Sequence, residues 1–468
     1  MKPFLKGKLK GVFAFFATLF VAVSLAPTAA FAATAFPATG IGKVTGLEDN
    51  ASVTLIKVAK TTVNEETNVV ETQWIAPFTS LEFTPADYAQ NAGKTQEYAN
   101  NIAQIANNAK DTDLQKTDAV KAVNGSATFN GLETGLYFVT VDPEVADTVY
   151  QNTLLAINAG TDVNGNWTTA SGEVELKKGT VTLEKKVSAD GVNYDKSVDT
   201  LSAGDKAHYL ITATVPHYNY TDGVIYSIVD TPANGVVLDS VENVTVELGN
   251  TVLTGVAKIE NGELVVTLGK AQLDIVADNG SKLTIKYSGT VQHDKLGDLT
   301  NTATLTYTSK AGSSTTKNDS AHVTVYGVNV NKTGENKAKL ANAEFKLQKQ
   351  NGEEWVDVTN ANGQVVTLVT TAQGTFDAPF KSLGKGTYQL VETKAPAGYV
   401  LPENAILVTV SSEAAGNDHV VVKDVANVKN PAGVLPTTGG PGTVAMTVAG
   451  VVVMAGAACF VVRSRKQN

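Results

Sequence analysis

Lysine, acidic and asparagine residues recur in this chain at the ends of short apolar alternations, in an arrangement that could form amide bonds. Val328 and Val330 precede Lys332, and Leu390 precedes Glu392 by the same spacing. Because successive side chains of a β-strand alternate between its two faces, residues two apart share a face. The spacing therefore predicts that Lys332 and Glu392 point into an apolar core together with their aliphatic neighbours.

The amide of this set is Asn427, which lies two residues after Val425. An earlier part of the chain repeats the pattern, since an amine, a carboxyl and an amide again share the apolar faces of predicted strands. These residues are Lys185, Asp230 and Asn301.

Burial would give such a set its chemistry. Desolvation favours the neutral amine of a lysine and the protonated form of a carboxyl group. A neutral amine is a nucleophile, and a protonated acid can polarise an asparagine carbonyl. Fixed proximity can supply roughly 7–11 kcal/mol of the barrier to amide formation. The product would be a Lys–Asn isopeptide bond, with loss of ammonia. Alternation alone also allows ordinary solvated lysines at strand ends.

The elements that must position these groups are predicted to be β-strands. Short runs of Val, Thr, Ile and Tyr alternate with polar residues and are separated by Gly, Asn and Asp turns, a pattern typical of stacked β-sandwiches. The fold class predicted is all-β, with tandem Ig-like domains. Residues 88–121 are rich in Ala, Asn, Gln and Lys and predict a small helical insert.

Both ends of the chain carry processing signals. A basic start, an apolar stretch and Ala30-Phe31-Ala32 predict a signal peptide cleaved after Ala32. Near the other end, an apolar run of about 20 residues before a basic tail predicts a transmembrane helix. The predicted segments are a signal peptide (1–32), an N-terminal domain with the insert (33–178), a middle domain (179–326), a C-terminal domain (327–430), a spacer with a sorting motif (431–442), a transmembrane helix (443–462) and a cytoplasmic tail (463–468).

The motif before the apolar run resembles the LPXTG sorting signal of Gram-positive surface proteins; its residues are Leu435, Pro436, Thr437, Thr438 and Gly439. The resemblance implies that a sortase cleaves between Thr438 and Gly439 and passes the threonine to an amine. The expected location is the cell wall, after a transient membrane anchor.

Composition excludes several other functions. The formal net charge of -9 is spread along the chain, without the basic stripe of a nucleic-acid-binding protein. The single cysteine, Cys459, lies in the anchor, so the ectodomain is expected to lack disulfides. The five histidines are scattered without metal-ligand spacing, and no nucleophile elbow is present. We therefore expect no metal, no cofactor and no enzymatic turnover of an external substrate.

The segment 388–399 resembles the E-box of Gram-positive pilins, in a Cna protein B-type domain. The resemblance implies that Glu392 catalyses an isopeptide bond between Lys332 and Asn427, with Asn430 as an alternative amide. Residues 226–231 and 301–303 resemble the aspartate-assisted version of the same site. There Asp230 would act on Lys185 and Asn301, with Lys186 as an alternative amine.

Taken over the whole chain, the sequence resembles the major (shaft) pilin of a sortase-assembled pilus. The resemblance implies a covalent polymer of identical subunits, with sortase, peptidoglycan and host surface molecules as partners. In that family a lysine at the end of the first domain attacks the acyl-enzyme. The family's Tyr-Pro-Lys core is not intact here, and the role falls to Lys178, with Lys177 as the alternative. A monomeric adhesin or a minor pilin is the second functional hypothesis.

The first domain is predicted to lack an internal bond. Lys57 ends an alternating strand, and residues 135–139 resemble the strand that carries an E-box. The position of the catalytic glutamate is not filled, and Asp142 is the nearest acid in the sequence.

Overall fold

A computed structural model describes residues 39–64, 69–91, 94–144, 147–161, 167–218, 223–232, 234–277, 280–310 and 313–430. The predicted signal-peptide site at Ala32, the sorting motif and the transmembrane segment lie outside these ranges. Within them, no helix is both long and apolar enough to cross a membrane. Most of the described residues form β-strands, which confirms the predicted fold class of tandem sandwiches.

The N-terminal unit combines two main sheets with a helical insert. Its strands are β1 Gly40–Thr45, β2 Ser52–Asn64, β3 Val69–Trp74, β4 Gln115–Lys116, β5 Val120–Lys121, β6 Ser126–Leu132, β7 Gly135–Asp142, β8 Thr148–Tyr150, β9 Leu154–Thr161, β10 Trp167–Ala170 and β11 Gly172–Glu175. One sheet has the order β11-β1-β6, and the other has the order β10-β9-β7-β2-β3, with β4 and β5 also paired to β2.

The insert is helical over a shorter range than predicted. The helices are α1 Pro85–Gln90 and α2 Thr95–Asn108, and a capping box at Thr84 begins α1. Ile102 and Ala103 of α2 are buried on the outer face of the seven-stranded sheet. The residues after α2 pair with β2 instead of continuing the helix, because the exposed edge of β2 offers them backbone hydrogen bonds.

A two-stranded ribbon connects the N-terminal unit with the middle unit. Strand β12, Lys178–Thr180, pairs antiparallel with β8, so that Lys178 lies opposite Tyr150. Val149 of this ribbon is buried in the core of the middle unit together with Val181. Burial of Val149 therefore holds the ribbon against the middle unit.

The middle unit is a sandwich of two sheets. Its strands are β13 Leu183–Ser188, β14 Ser197–Val198, β15 Lys206–Val215, β16 Tyr226–Pro232, β17 Val236–Leu238, β18 Thr245–Leu248, β19 Thr251–Leu253, β20 Ala257–Glu260, β21 Glu263–Thr267, β22 Ser281–Val291, β23 Gly297–Lys310 and β24 Ser313–Thr333, and a short helix α3 spans Lys270–Leu273. One sheet has the order β13-β15-β22-β18-β19, and the other has the order β14-β24-β23-β16-β21-β20.

The C-terminal unit shares β24 with the middle unit. Its remaining strands are β25 Glu344–Asn351, β26 Glu354–Asp357, β27 Thr367–Val369, β28 Phe380–Leu383, β29 Gly386–Lys394, β30 Ile406–Val410 and β31 Val420–Ala426, and helix α4 spans Ser412–Ala415. The far half of β24 pairs with β28 and in parallel with β31, and the facing sheet has the order β26-β25-β29-β30.

The junction between the middle and C-terminal units contains no free linker. β24 runs 21 residues through the predicted domain boundary at residue 326 without a break. Ser382 accepts a hydrogen bond on its carbonyl oxygen from the Ala203 backbone N–H at 2.9 Å, and donates its own N–H to the Lys295 carbonyl at 2.8 Å. Gly384 donates its N–H to the Ser202 hydroxyl at 3.0 Å. Backbone hydrogen bonds therefore join the units beside the continuous strand.

Candidate functional site

The C-terminal cluster, which we define as Lys332, Glu392 and Asn427, is assembled from both sheets of its sandwich. Lys332 is near the end of β24, where its register partner on the parallel strand β31 is Val425. Asn427 follows β31 directly and so lies beside the lysine. Glu392 reaches the same point from β29 in the facing sheet. The alternation of each strand places all three side chains on the buried face, as the sequence predicts.

The three side chains contact one another directly. The Lys332 Nζ lies 3.0 Å from the Glu392 Oε2 and also donates to the Asn427 Oδ1. The Asn427 Nδ2 donates to the Glu392 Oε1 at 2.7 Å. One carboxyl oxygen of Glu392 therefore contacts the lysine amine, and the other contacts the asparagine amide. The phenyl ring of Phe345 completes the cage, with its centroid 5.7 Å from the Lys332 Nζ.

Burial shifts the C-terminal cluster toward neutral groups. Desolvation lowers the pKa of Lys332, although hydrogen bonding and charge attraction from Glu392 oppose the shift. Desolvation likewise raises the pKa of Glu392, against the opposing effect of Lys332 and Asn427. Both shifts favour the neutral amine and the protonated acid, which are the forms needed for nucleophilic attack and carbonyl polarisation.

The middle cluster, which we define as Lys185, Asp230, Asn301 and Tyr287, bridges the two sheets of the middle sandwich. Lys185 lies on β13 and Tyr287 on β22, both in one sheet. Asp230 lies on β16 and Asn301 on β23 in the facing sheet. The relative exposures of Lys185, Asp230 and Asn301 are all 0%. A Lys185–Asn301 bond would therefore cross the core between sheets.

A tyrosine hydroxyl lies at the centre of the middle cluster. The Lys185 Nζ contacts both the Asp230 Oδ1 and the Tyr287 hydroxyl. The Tyr287 hydroxyl donates to the Asp230 Oδ2 at 2.5 Å and accepts from the Asn301 Nδ2 at 3.2 Å. The Asn301 Oδ1 is buried and has no hydrogen-bond partner among the described residues. The tyrosine thus connects the amine, the carboxyl and the amide.

Aromatic rings surround the buried amine of the middle cluster. The Lys185 Nζ is 4.7 Å from the ring centroid of Tyr209 and 5.0 Å from that of Tyr287. Desolvation lowers the pKa of Lys185, against the charge of Asp230. Desolvation also raises the pKa of Tyr287 well above its usual value, with Asp230 adding to the shift, so its hydroxyl stays protonated.

The alternative residues from the sequence analysis lie elsewhere. Lys186 points to the outer face of β13 and pairs with Glu184 at 3.0 Å. Asn430 donates its backbone N–H to the Gly398 carbonyl at 2.8 Å. The structure therefore brings Lys185 and Asn427 into the clusters, and leaves Lys186 and Asn430 outside them.

The amide of the middle cluster does not lie on the last strand of its unit. Asn301 lies on β23, and β24 follows it within the same sheet. The reason is that β24 is long enough to complete the middle sandwich and then begin the next one.

Lys178 and Lys177 are both exposed at the ribbon between the first two units. The Lys178 Nζ lies 6.0 Å from the ring centroid of Tyr150, the residue opposite it in the ladder. Tyr150 lines a groove of about 320 Å³ between the units, with Asn152 on one side and Thr315 on the other. The Lys177 carbonyl accepts a hydrogen bond from the Gln151 N–H at 3.0 Å. Lys178 therefore lies next to a groove between units.

In the N-terminal unit, Lys57 pairs with an acid that the sequence analysis did not consider. Its amine contacts the Glu133 carboxylate, which is largely exposed. Asp142 lies opposite Ser52 at the far end of the β2–β7 pair. The turn before β7 therefore brings Glu133, and not Asp142, to the Lys57 amine.

The described residues contain no group of three or more His, Cys, Asp and Glu side chains suited to holding a metal ion.

Comparison with known proteins matches the C-terminal third of the chain to two family models. Residues 326–425 match the SpaA prealbumin-like fold domain, and residues 427–468 match the LPXTG cell wall anchor motif. The first match covers Lys332 and Glu392, and the second begins at Asn427. The chain is also 30% identical over 321 residues to the fimbrial subunit type 2 of Actinomyces naeslundii, an alignment that spans 57% of this chain and 58% of that relative.

Solved structures share the fold over most of the chain. The T6 backbone pilin of Streptococcus pyogenes serotype M6 has a TM-score of 0.62 and 17% identity, covering 85% of this chain and 99% of that one. The major pilin SpaD of Corynebacterium diphtheriae has a TM-score of 0.55 and 18% identity, covering 85% and 99%. Over most of its length the chain therefore shares the fold of these Gram-positive pilins. The match to the LPXTG cell wall anchor motif indicates that this chain is a cell-wall-anchored surface protein.

Tyr287 is a member of the middle cluster that the sequence analysis does not identify. Leu283, Ile285 and Tyr287 alternate along β22, which places the tyrosine on the buried face of the strand. A tyrosine in such a series is more often a packing residue, so its residue type alone does not indicate a reactive site.

Proposed function

We propose that this pilin is the structural subunit of a covalently polymerised surface pilus, and that its middle and C-terminal units are stabilised by internal Lys–Asn isopeptide bonds. The observation that carries the proposal is the pair of buried clusters in a chain with an LPXTG anchor. The major pilin SpaA of Corynebacterium diphtheriae, which has a TM-score of 0.52 and 16% identity over 84% of this chain, is described as pointing to a modular pilus assembly with stabilizing isopeptide bonds.

The proposed internal reaction needs no outside reagent. In the C-terminal cluster the neutral amine of Lys332 attacks the Asn427 Cγ, forming the Nζ–Cγ bond. Glu392 contacts both nitrogens, so it can take a proton from Nζ and give one to Nδ2. The Cγ–Nδ2 bond then breaks, and ammonia leaves. The bond replaces two buried polar ends, each costly to leave unpaired, with one neutral amide.

The same reasoning applies to Lys185 and Asn301 in the middle cluster, where the bond would join facing sheets. The described residues of the N-terminal unit offer no equivalent set. Lys57 contacts the exposed Glu133, so its amine is held by a partly solvated carboxylate. We therefore propose one internal bond in the middle unit and one in the C-terminal unit.

Assembly is proposed to use the exposed Lys178. A sortase cysteine would break the Thr438–Gly439 bond and hold Thr438 as a thioester. The Lys178 amine of the next subunit would attack that carbonyl, forming an amide and releasing the cysteine thiol. The exposed Lys178 lies beside Tyr150, which lines the groove between the units, so we expect the enzyme to reach this lysine from the side of the groove. The last subunit would be transferred to peptidoglycan by the same chemistry.

The test is expression of the full chain together with its sortase on a Gram-positive surface. The parent and a Lys177→Arg control are expected to give a ladder of SDS-resistant multimers. A Lys178→Arg variant, which keeps the charge but lacks a nucleophilic amine, is expected to give the wall-linked monomer only. A ladder that persists in Lys178→Arg would overturn the assignment of Lys178. A parent that gives monomer only would favour the anchored-adhesin hypothesis instead.

A further inference from the structure

The two clusters differ in how their acid reaches the amide. In the C-terminal cluster, Glu392 contacts the attacking nitrogen with one oxygen and the leaving nitrogen with the other. In the middle cluster, Asp230 contacts the Lys185 amine and the Tyr287 hydroxyl. The amide nitrogen of Asn301 is held by Tyr287 instead.

The difference follows from side-chain length and strand position. Aspartate is one methylene shorter than glutamate, so its carboxyl group reaches less far from the strand. On the neighbouring strand β23 the residue opposite Asp230 is Ala303, and Asn301 is two positions further along. The hydroxyl of Tyr287 enters from the facing sheet and lies between the carboxyl and the amide.

We propose that Tyr287 is a catalytic residue of the middle-unit cross-link, relaying a proton from the Lys185 Nζ to the Asn301 Nδ2. This inference rests on the proposed isopeptide function and adds to it a residue in direct contact with the reacting atoms. Its hydroxyl makes three hydrogen bonds, which use its one donor and both of its acceptor positions.

The relay balances without any further reactant. Lys185 first gives its extra proton to Asp230, and its neutral amine attacks the Asn301 Cγ. The Nζ–Cγ bond forms while the carbonyl π electrons move onto Oδ1. Tyr287 then accepts a proton from Nζ, turns its own hydroxyl proton from the now protonated Asp230 to the leaving nitrogen, and gives that proton to Nδ2. The electrons on Oδ1 re-form the carbonyl, the Cγ–Nδ2 bond breaks and ammonia leaves, with the tyrosine regenerated.

Tyr287 also fixes the orientation of the amide. The hydrogen bond from Nδ2 to the Tyr287 hydroxyl orients the Asn301 amide, which also interacts with the Tyr209 hydroxyl, while Oδ1 has no hydrogen-bond partner among the described side chains and backbone. Without the hydroxyl the amide could rotate about its last torsion and turn the leaving nitrogen away from the proton donor. Removal of one oxygen atom should therefore slow the middle bond and leave the C-terminal bond unaffected.

The test is intact mass of the ectodomain, residues 33–430, for the parent, Tyr287→Phe and Tyr226→Phe. Tyr226 is a matched control, since it is a buried tyrosine of the same core whose hydroxyl donates to the Thr214 carbonyl at 3.1 Å. The parent and Tyr226→Phe are expected to lack the mass of two ammonia molecules. Tyr287→Phe is expected to lack one, with peptide mapping locating the surviving bond at Lys332 and Asn427.

The outcomes separate this inference from the function on which it rests. A parent that lacks no ammonia overturns the proposed bonds themselves. If the parent and Tyr287→Phe both lose two ammonia molecules at equal rates after synthesis, only the role of Tyr287 is overturned. Trypsin resistance of the middle unit shows whether the variant has folded. If the variant has not folded, the parent is made by cell-free synthesis with 3-fluorotyrosine, which keeps the shape of the tyrosine side chain and changes the acidity of its phenol. An unchanged rate of formation of the middle bond relative to the C-terminal bond would then overturn the relay.

Discussion

Replacing Glu392 by glutamine should abolish the C-terminal bond while preserving the shape of the site. Glutamine is nearly isosteric with glutamate, but it cannot take the proton from the Lys332 amine. The ectodomain of the variant is therefore expected to lose one ammonia instead of two. Each missing bond raises the mass by about 17 Da, the mass of the ammonia that amide formation expels.

The stability of the C-terminal unit should fall with the bond. Lys332 and Asn427 are 95 residues apart. A covalent link that closes a loop of this length removes chain entropy from the unfolded state worth roughly 4.7 kcal/mol on the loop-closure argument used for disulfides. In a unit of about 100 residues, 1 kcal/mol corresponds to about 4–8 °C in melting temperature. The expected decrease is roughly 19–38 °C, and the unreacted Lys332 amine left buried in the core adds to it.

Intact mass and calorimetry of the same sample check both expectations. Glu403→Gln is the matched control, since Glu403 is an exposed glutamate of the same unit and its replacement should change neither quantity. An unchanged two-ammonia deficit in Glu392→Gln would refute the reasoning, because the bond would then form without its acid. A one-ammonia deficit with an unchanged melting temperature would refute the loop-entropy argument alone.

Two further predictions concern the C-terminal unit. Burial raises the pKa of Tyr388 from 10.0 to about 12, so the folded state keeps a proton that the unfolded state loses. The stabilisation is present below pH 10 and is lost as the pH rises toward 12, by up to about 2.7 kcal/mol. Urea unfolding at pH 9 to 12 should therefore show a free energy of unfolding that falls more steeply with pH in the parent than in Tyr388→Phe. A Cβ at Gly384 would meet the Thr200 carbonyl oxygen at 2.2 Å, so Gly384→Ala should separate the middle and C-terminal units. Calorimetry of this variant should then resolve separate unfolding transitions, and X-ray scattering should show a larger maximum dimension. The control Gln373→Ala, at an exposed position, should leave both measurements unchanged. A single unshifted transition in Gly384→Ala would contradict the prediction.

The parts of the site that could be predicted from sequence are those fixed by the period of a strand. Lys332 and Lys185 follow aliphatic residues at intervals of two. In a strand without a bulge, such a residue must lie on the same face as those aliphatic residues. The strand that carries Glu392 could be predicted in the same way. The inward direction of each side chain was therefore set locally, by residues close in the sequence.

The parts that could not be predicted depend on which strands face one another. Tyr287 and Asn301 come from different sheets, and nothing in either strand states that they meet. The contact between Lys57 and Glu133 depends on the turn that precedes β7, and the position of β23 inside its sheet depends on the length of β24. Each of these is set by the packing of whole sheets, which the alternation within a single strand does not specify.

The unbroken strand β24 has a consequence for twisting. At about 3.3 Å per residue, its 21 residues extend roughly 70 Å through both units. Around the junction β24 is bonded on both sides, to β14 and β23 in the middle unit and to β28 and β31 in the C-terminal unit, so it cannot swivel there about a single backbone torsion. The hydrogen bonds at Ser382 and Gly384 add a second point of attachment away from its axis. Rotation of the middle unit about the long axis must therefore rotate the C-terminal unit by the same angle. Torque applied to one sandwich is transmitted to the next.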